Sequence, residues 1–196
     1  MKKINYFFAL TFFCFSFEVN AKTVLDVISE NKNLSIFYSY LEQTELKRVL
    51  EKKLPWNWTI FAPSNSAFEN ASKNLKEEIL EDDFYSKNIF MDHLMTGHTT
   101  SLDVGEQIST QVTVSNKPIQ IYKSKRLYVK DMVVVNENLM GNNGVVHVID
   151  CIMYVQPSVD DDRVSKELEK DFPITSCCMR DKSEIESFKK SARNKF

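Results

Sequence analysis

The apolar residues of this chain change their spacing once, near Gly97, and that change limits the folds open to it. Before Gly97 they recur mostly at helical intervals. Val24, Leu25, Val27 and Ile28 follow Thr23, which with Asp26 three residues on has the form of a capping box. Leu34, Phe37, Tyr38 and Leu41 give the stripe of an amphipathic helix. Thr44 is placed to cap a third helix through Leu46, Val49 and Leu50, closed by Pro55. Leu75, Ile79 and Leu80 form another stripe, and Ile89, Phe90, His93 and Leu94 one more, read as ending at Gly97. Only Trp58-Thr59-Ile60-Phe61 interrupts this half, as a short strand followed by Ser64 or Ser66 at a helix start. After Gly97 the period falls to two. Ile108, Val112 and Val114, then Ile119 and Ile121, alternate across a turn at Ser115-Asn116. Residues 127–129 and 132–135 are two further short runs. Asn143-Gly144 is a turn signal before 145–155, the longest β-branched run. Helices followed by strands predict an α+β domain with a largely antiparallel sheet.

The two ends of the chain have a different character. Lys2 and Lys3 precede an apolar run over 6–17, and Val19-Asn20-Ala21 supplies small or modest residues where a signal peptidase reads. Residues 1–21 are therefore read as a secretory signal peptide, too short for a membrane anchor. Cys14 lacks the small residues that precede a lipid-attachment cysteine. The expected location is extracytoplasmic, either secreted or periplasmic, without an integral membrane span. Residues 22–157 are expected to form one domain. Residues 158–196 open on Asp160-Asp161-Asp162, carry little apolar content, and are expected to be a charged tail, partly helical or mobile. A formal net charge of −2 with no clustered basic surface speaks against a nucleic-acid partner.

Two segments carry a family resemblance. Thr59-Ile60-Phe61-Ala62-Pro63-Ser64-Asn65-Ser66-Ala67-Phe68 resembles the first signature of fasciclin domains, and Asn143-Gly144-Val145-Val146-His147-Val148-Ile149-Asp150 resembles the second. His93-Leu94-Met95-Thr96-Gly97 corresponds to the family's tyrosine-histidine segment, with Asp92 standing where the family has tyrosine. The resemblance covers 23–157. It implies a twisted β-wedge or sandwich with a cluster of mainly N-terminal helices. Thr59, Phe61, Pro63, Ser64, Phe68, Asn143, Gly144, His147 and Asp150 then serve as structural motif residues. Phe61 and Phe68 anchor a turn stiffened by Pro63, Ser64 offers its hydroxyl to a helix start, and Val146, Val148 and Ile152 fill the core. His147 reads as a satisfied structural histidine.

The family's tyrosine-histidine region is implicated in adhesion, so Phe90, Asp92, His93 and Leu94 are candidate partner-binding residues. Asp92 is expected to be a wet surface carboxylate, while His93 also fits a core position with one hydrogen bond. Trp58 fits the core. Trp56, one place before Asn57, is either an exposed contact residue or packed on the preceding helix. By resemblance the function is non-catalytic binding in adhesion or surface association, toward a cell-surface or matrix protein or glycan. The alternative is a carrier of a small apolar ligand. No hydrolase, metalloprotease, phosphate-loop or dinucleotide signature is present, and His93 and His98, five apart, do not share a helix face. No catalytic residue, cofactor or metal is therefore assigned. Asn33, Asn57 and Asn70 begin glycosylation sequons.

Cys151, Cys177 and Cys178 remain after signal removal, an odd number in an oxidising compartment. The expected pairing is Cys151 with Cys177 or Cys178, brought back by the tail, with the other thiol left for a partner chain. A bond between adjacent Cys177 and Cys178 is less favoured because it strains the peptide. Non-reducing peptide mapping of protein taken from its native compartment should recover that link. Three free thiols would end the idea.

Overall fold

The computed structural model describes residues 21–71, 73–129, 132–153, and 186, 189, 190 and 193. Three short helices come first: α1 (Val24–Glu30), α2 (Ser35–Glu42) and α3 (Leu46–Glu51). Strand β1 (Trp58–Pro63) leads into α4 (Asn65–Glu69), then α5 (Lys73–Leu75) with a π turn over Lys76–Leu80, then α6 (Asp83–Asp92). Six strands follow: β2 (Leu94–Thr96), β3 (Ser109–Val112), β4 (Pro118–Lys123), β5 (Leu127–Val129), β6 (Met132–Gly141) and β7 (Gly144–Ile149).

The seven strands form one sheet in the order β2-β1-β7-β6-β5-β4-β3. All neighbours are antiparallel except β1 and β7, which run parallel from Trp58↔Gly144 to Pro63↔Ile149. Every residue of these two strands is buried, as expected of a central pair covered on both faces. Trp58, Ile60 and Ala62 of β1 join Val146 and Val148 in a core under the helices, with Ile28, Phe37, Leu50 and Phe90. Phe61 and Ile149 face the other way, into a second core with Met95, Ile119, Ile121, Leu127, Val129 and Val134. This α+β architecture is the expected one. The ends of the sheet also meet: Met95 bridges Thr113 just beyond β3, and the Val114 amide donates to the Leu94 carbonyl at 2.7 Å.

Local chemistry explains most boundaries. The Thr23–Asp26 capping box forms as read, and Ser64 caps α4 by accepting from the Ala67 amide. Asn116 takes a left-handed backbone (φ +61°) in the turn before β4. Thr44 does not cap α3; its hydroxyl donates back to the Leu41 carbonyl and closes α2. The stripe through Ile89–Leu94 is not one helix either. It stops at Asp92, and Leu94–Thr96 pairs with β1, because Ile60 and Trp58 offer that segment a strand partner. In the tail, Lys189 pairs with Glu78 and the Arg193 guanidinium donates to the Tyr85 hydroxyl at 2.7 Å.

The β6–β7 turn is built tightly against its neighbours. A methyl group on Gly144 would lie 2.2 Å from the Trp58 carbonyl oxygen, and one on Gly141 would lie 2.5 Å from the Val24 nitrogen. Gly144→Ala should therefore destabilise the domain by more than about 2 kcal/mol. Gly105→Ala is the control, since nothing lies within 4 Å of the added carbon; it should shift stability by no more than about 0.5 kcal/mol. Urea unfolding of both variants checks this, and a mild Gly144→Ala effect would contradict the tight approach.

Candidate functional site

The segment read as an adhesive surface lies inside the protein. Phe90, Asp92, His93 and Leu94 are all buried, which corrects the expectation that Asp92 is wet. Phe90 packs edge-on against Phe37 at 5.6 Å between ring centres. Asp92 accepts from the Lys117 ammonium at 2.7 Å and from the Ser115 hydroxyl, and all three groups are buried. The Thr113 hydroxyl, 2.9 Å from that of Ser115, extends the chain of hydrogen bonds. Burying a lone carboxylate is costly, so an ammonium from the turn before β4 accompanies it. A lysine at a strand start gives no sequence signal of that role, and Ser115 and Lys117 were not foreseen.

Both motif histidines are held through both ring nitrogens. His93 Nδ1–H donates to the Ile89 carbonyl at 2.8 Å, and Nε2 accepts from the Met153 amide at 2.8 Å. His147 has the opposite tautomer: Nε2–H donates to the Thr99 carbonyl at 2.9 Å, and Nδ1 accepts from the Asn138 amide at 3.3 Å. Its ring stacks on Phe61 at 5.5 Å. Burial pushes His93 down to about 4, against the Ile89 hydrogen bond and the charge of Asp92, which raise it. Burial also lowers His147, against the Thr99 hydrogen bond and the charge of Glu137. Both rings are neutral at pH 7 and spent on structure.

The other motif residues do the same kind of work. Buried Thr59 donates to the Gly97 carbonyl and accepts from the Thr99 amide, both at 2.9 Å, tying β1 to the loop after β2. Asn143 accepts from the Val24 amide at 2.8 Å and donates to the Leu50 carbonyl at 3.0 Å. Pro63 and Phe68 are buried, and Asp150 is exposed.

Trp56 is the one partner-binding candidate on the surface, 45% exposed. It meets Trp58 edge-to-face at 6.2 Å, and Trp58 is only 4% exposed. Among the described residues, Trp58 Nε1 is a buried donor with no hydrogen-bond partner. Such a group costs about 1–3 kcal/mol. Cys151 is half-buried and disulfide-bonded. Its partner lies outside the described residues, as do Cys177 and Cys178. No group of three His, Cys, Asp or Glu among the described residues is placed to hold a metal, and none of their helices is long and apolar enough to cross a membrane.

A Fasciclin domain family model matches residues 32–155. The chain belongs to the fasciclin family. Human periostin is 31% identical over 156 residues, which are 76% of this chain but 18% of periostin. An uncharacterised protein of Synechocystis sp. is 24% identical over 66% of this chain and 96% of its own length. The pig transforming growth factor-beta-induced protein ig-h3 is 24% identical over 67% of this chain and 19% of its own length. This chain thus spans under a fifth of either animal relative. A fasciclin-domain pair from the insect cell adhesion molecule fasciclin I matches with a TM-score of 0.49 at 20% identity, over 72% of this chain and 53% of that one.

Two predictions follow from the buried groups of this fasciclin domain. Asp92→Ala removes the buried carboxylate that the Lys117 ammonium pairs with and should cost about 3–5 kcal/mol, whereas Asp92→Leu with Lys117→Met should recover most of it. A double variant as unstable as the single one would refute the pairing. For His93 the folded value lies below the unfolded one of 6.5, so the unfolded chain binds more protons between them. Stability is present above pH 6.5 and is lost as pH falls toward about 4, by about 2–3 kcal/mol for this group. Urea titrations at pH 7, 5.5 and 4.5 should show that slope, flattened in a folded His93→Gln variant.

Proposed function

We propose that this protein is an exported, non-catalytic binding module that works in adhesion or cell-surface and matrix association. The observation that carries the reading is the fasciclin match over residues 32–155, with periostin among the relatives of the chain. Local geometry supports it. Chemistry at a motif histidine needs a free ring nitrogen, and all four are engaged internally. The contact surface belongs elsewhere than on the buried Phe90–Leu94 segment. Trp56 is the best-placed residue for it, a large aromatic of the kind that dominates contact energetics. The apolar run over 6–17 supports export.

Beads coated with the mature protein should bind cells of the source organism, or their surface material, well above albumin-coated beads. Binding no stronger than albumin would sink the adhesive reading. Turnover of an ester, glycoside or phosphoester substrate by the purified protein would sink the non-catalytic one.

A further inference from the structure

The connection from α3 to β1, residues 52–57, and the first residue of β1 hold two features that internal packing leaves unused. One is the exposed indole of Trp56. The other is the buried Nε1–H of Trp58, which lacks an acceptor among the described residues although the ring beside it is packed. Buried tryptophan N–H groups usually find a partner. The connection is also preset. The Asn57 carbonyl accepts from the Gly97 amide at 2.8 Å, and the Trp58 amide donates to the Asn143 carbonyl at 2.8 Å. A ligand here meets a fixed backbone.

We infer that Trp56 and Trp58 form a glycan-binding site for an acidic, uronate-bearing pyranose chain. This rests on the binding-module reading and names its partner chemistry. An indole face is flat and apolar and suits the C–H face of a pyranose, while the rim of that sugar carries the oxygen acceptor that a single N–H donor needs. Proteins instead favour aromatics at the centre of a broad desolvated patch. Around Trp56 the chain is polar: Lys52, Lys53 and Asn57 are exposed, and Leu54 is half-buried. Residues 52–57 carry two lysines and no carboxylate, which selects an anionic sugar over a neutral one. Glu51, one place earlier, ends α3.

The chain has two tryptophans, both at this site, so its intrinsic fluorescence reports on it directly. Titrating the mature protein with hexagalacturonate should give a saturable change in tryptophan emission that weakens as salt rises. Cellohexaose should bind more weakly. Trp56→Ala should reduce hexagalacturonate affinity by about tenfold or more with little change in melting temperature, because the side chain is half-exposed. Trp58→Phe keeps an aromatic body but removes the donor, and should weaken binding by several-fold in a protein that still melts cooperatively. The inference is overturned if hexagalacturonate gives no saturable change up to about 10 mM, if Trp56→Ala binds as well as the parent, or if cellohexaose binds as tightly. Bead adhesion that survives in Trp56→Ala, or is abolished by protease treatment of the target but not by glycosidases, removes the glycan site and leaves the adhesive reading standing. No adhesion by the parent protein removes that reading instead.

Discussion

Asn143 is the point on which the two halves of the molecule depend. Its side chain takes the first amide of α1 and gives to the last turn of α3, while its carbonyl takes the amide of Trp58. One buried residue thus fixes two helices and a strand whose sequence positions lie far from it. The same turn sets Gly144 against the Trp58 backbone and Gly141 against the start of α1. No side chain fits in that gap, so helices and sheet approach backbone to backbone. An asparagine suits the spot because its amide offers both a donor and an acceptor to neighbours that lack partners at helix ends.

Polar groups recur through the interior in this way. Thr59, His93, His147 and Asp92 each tie together segments that lie far apart in the chain. Asn138, with a left-handed backbone (φ +59°), sits at the irregularity in β6 and also reaches Ser101 through its side chain. Hydrogen bonds of this kind select one arrangement among several that would bury similar apolar area. The family signatures are best understood as instructions for packing two cores around one central strand pair, which is why so few of their residues face solvent.

The parts of this fold that were legible in the sequence are those that depend on neighbours a few residues away. The Thr23–Asp26 capping box, the turn at Asn116, the alternation of Ile119 and Ile121 and the shift from helix to strand all rest on local rules. The parallel pairing of β1 with β7 was not legible, since period alone carries no partner or direction. Strand β2 was hidden for the same reason: Leu94 and Met95 continue a helical stripe, and only β1 makes them a strand. Asp92 was misplaced because a carboxylate reads as surface unless its cation is known, and Lys117 lies across the fold. Ile108, just before β3, and Val112 at its end are exposed although they continue the apolar alternation.

The parallel pair also has a consequence for the order of events in making the protein. Strand β1 is flanked by β7 and β2, and its pairing with β7 spans almost the whole domain. A chain that has emerged only as far as α6 can form helices but has nothing on which to close β1. Closure waits for residues up to 149, so loop-closure entropy falls late and on a long loop.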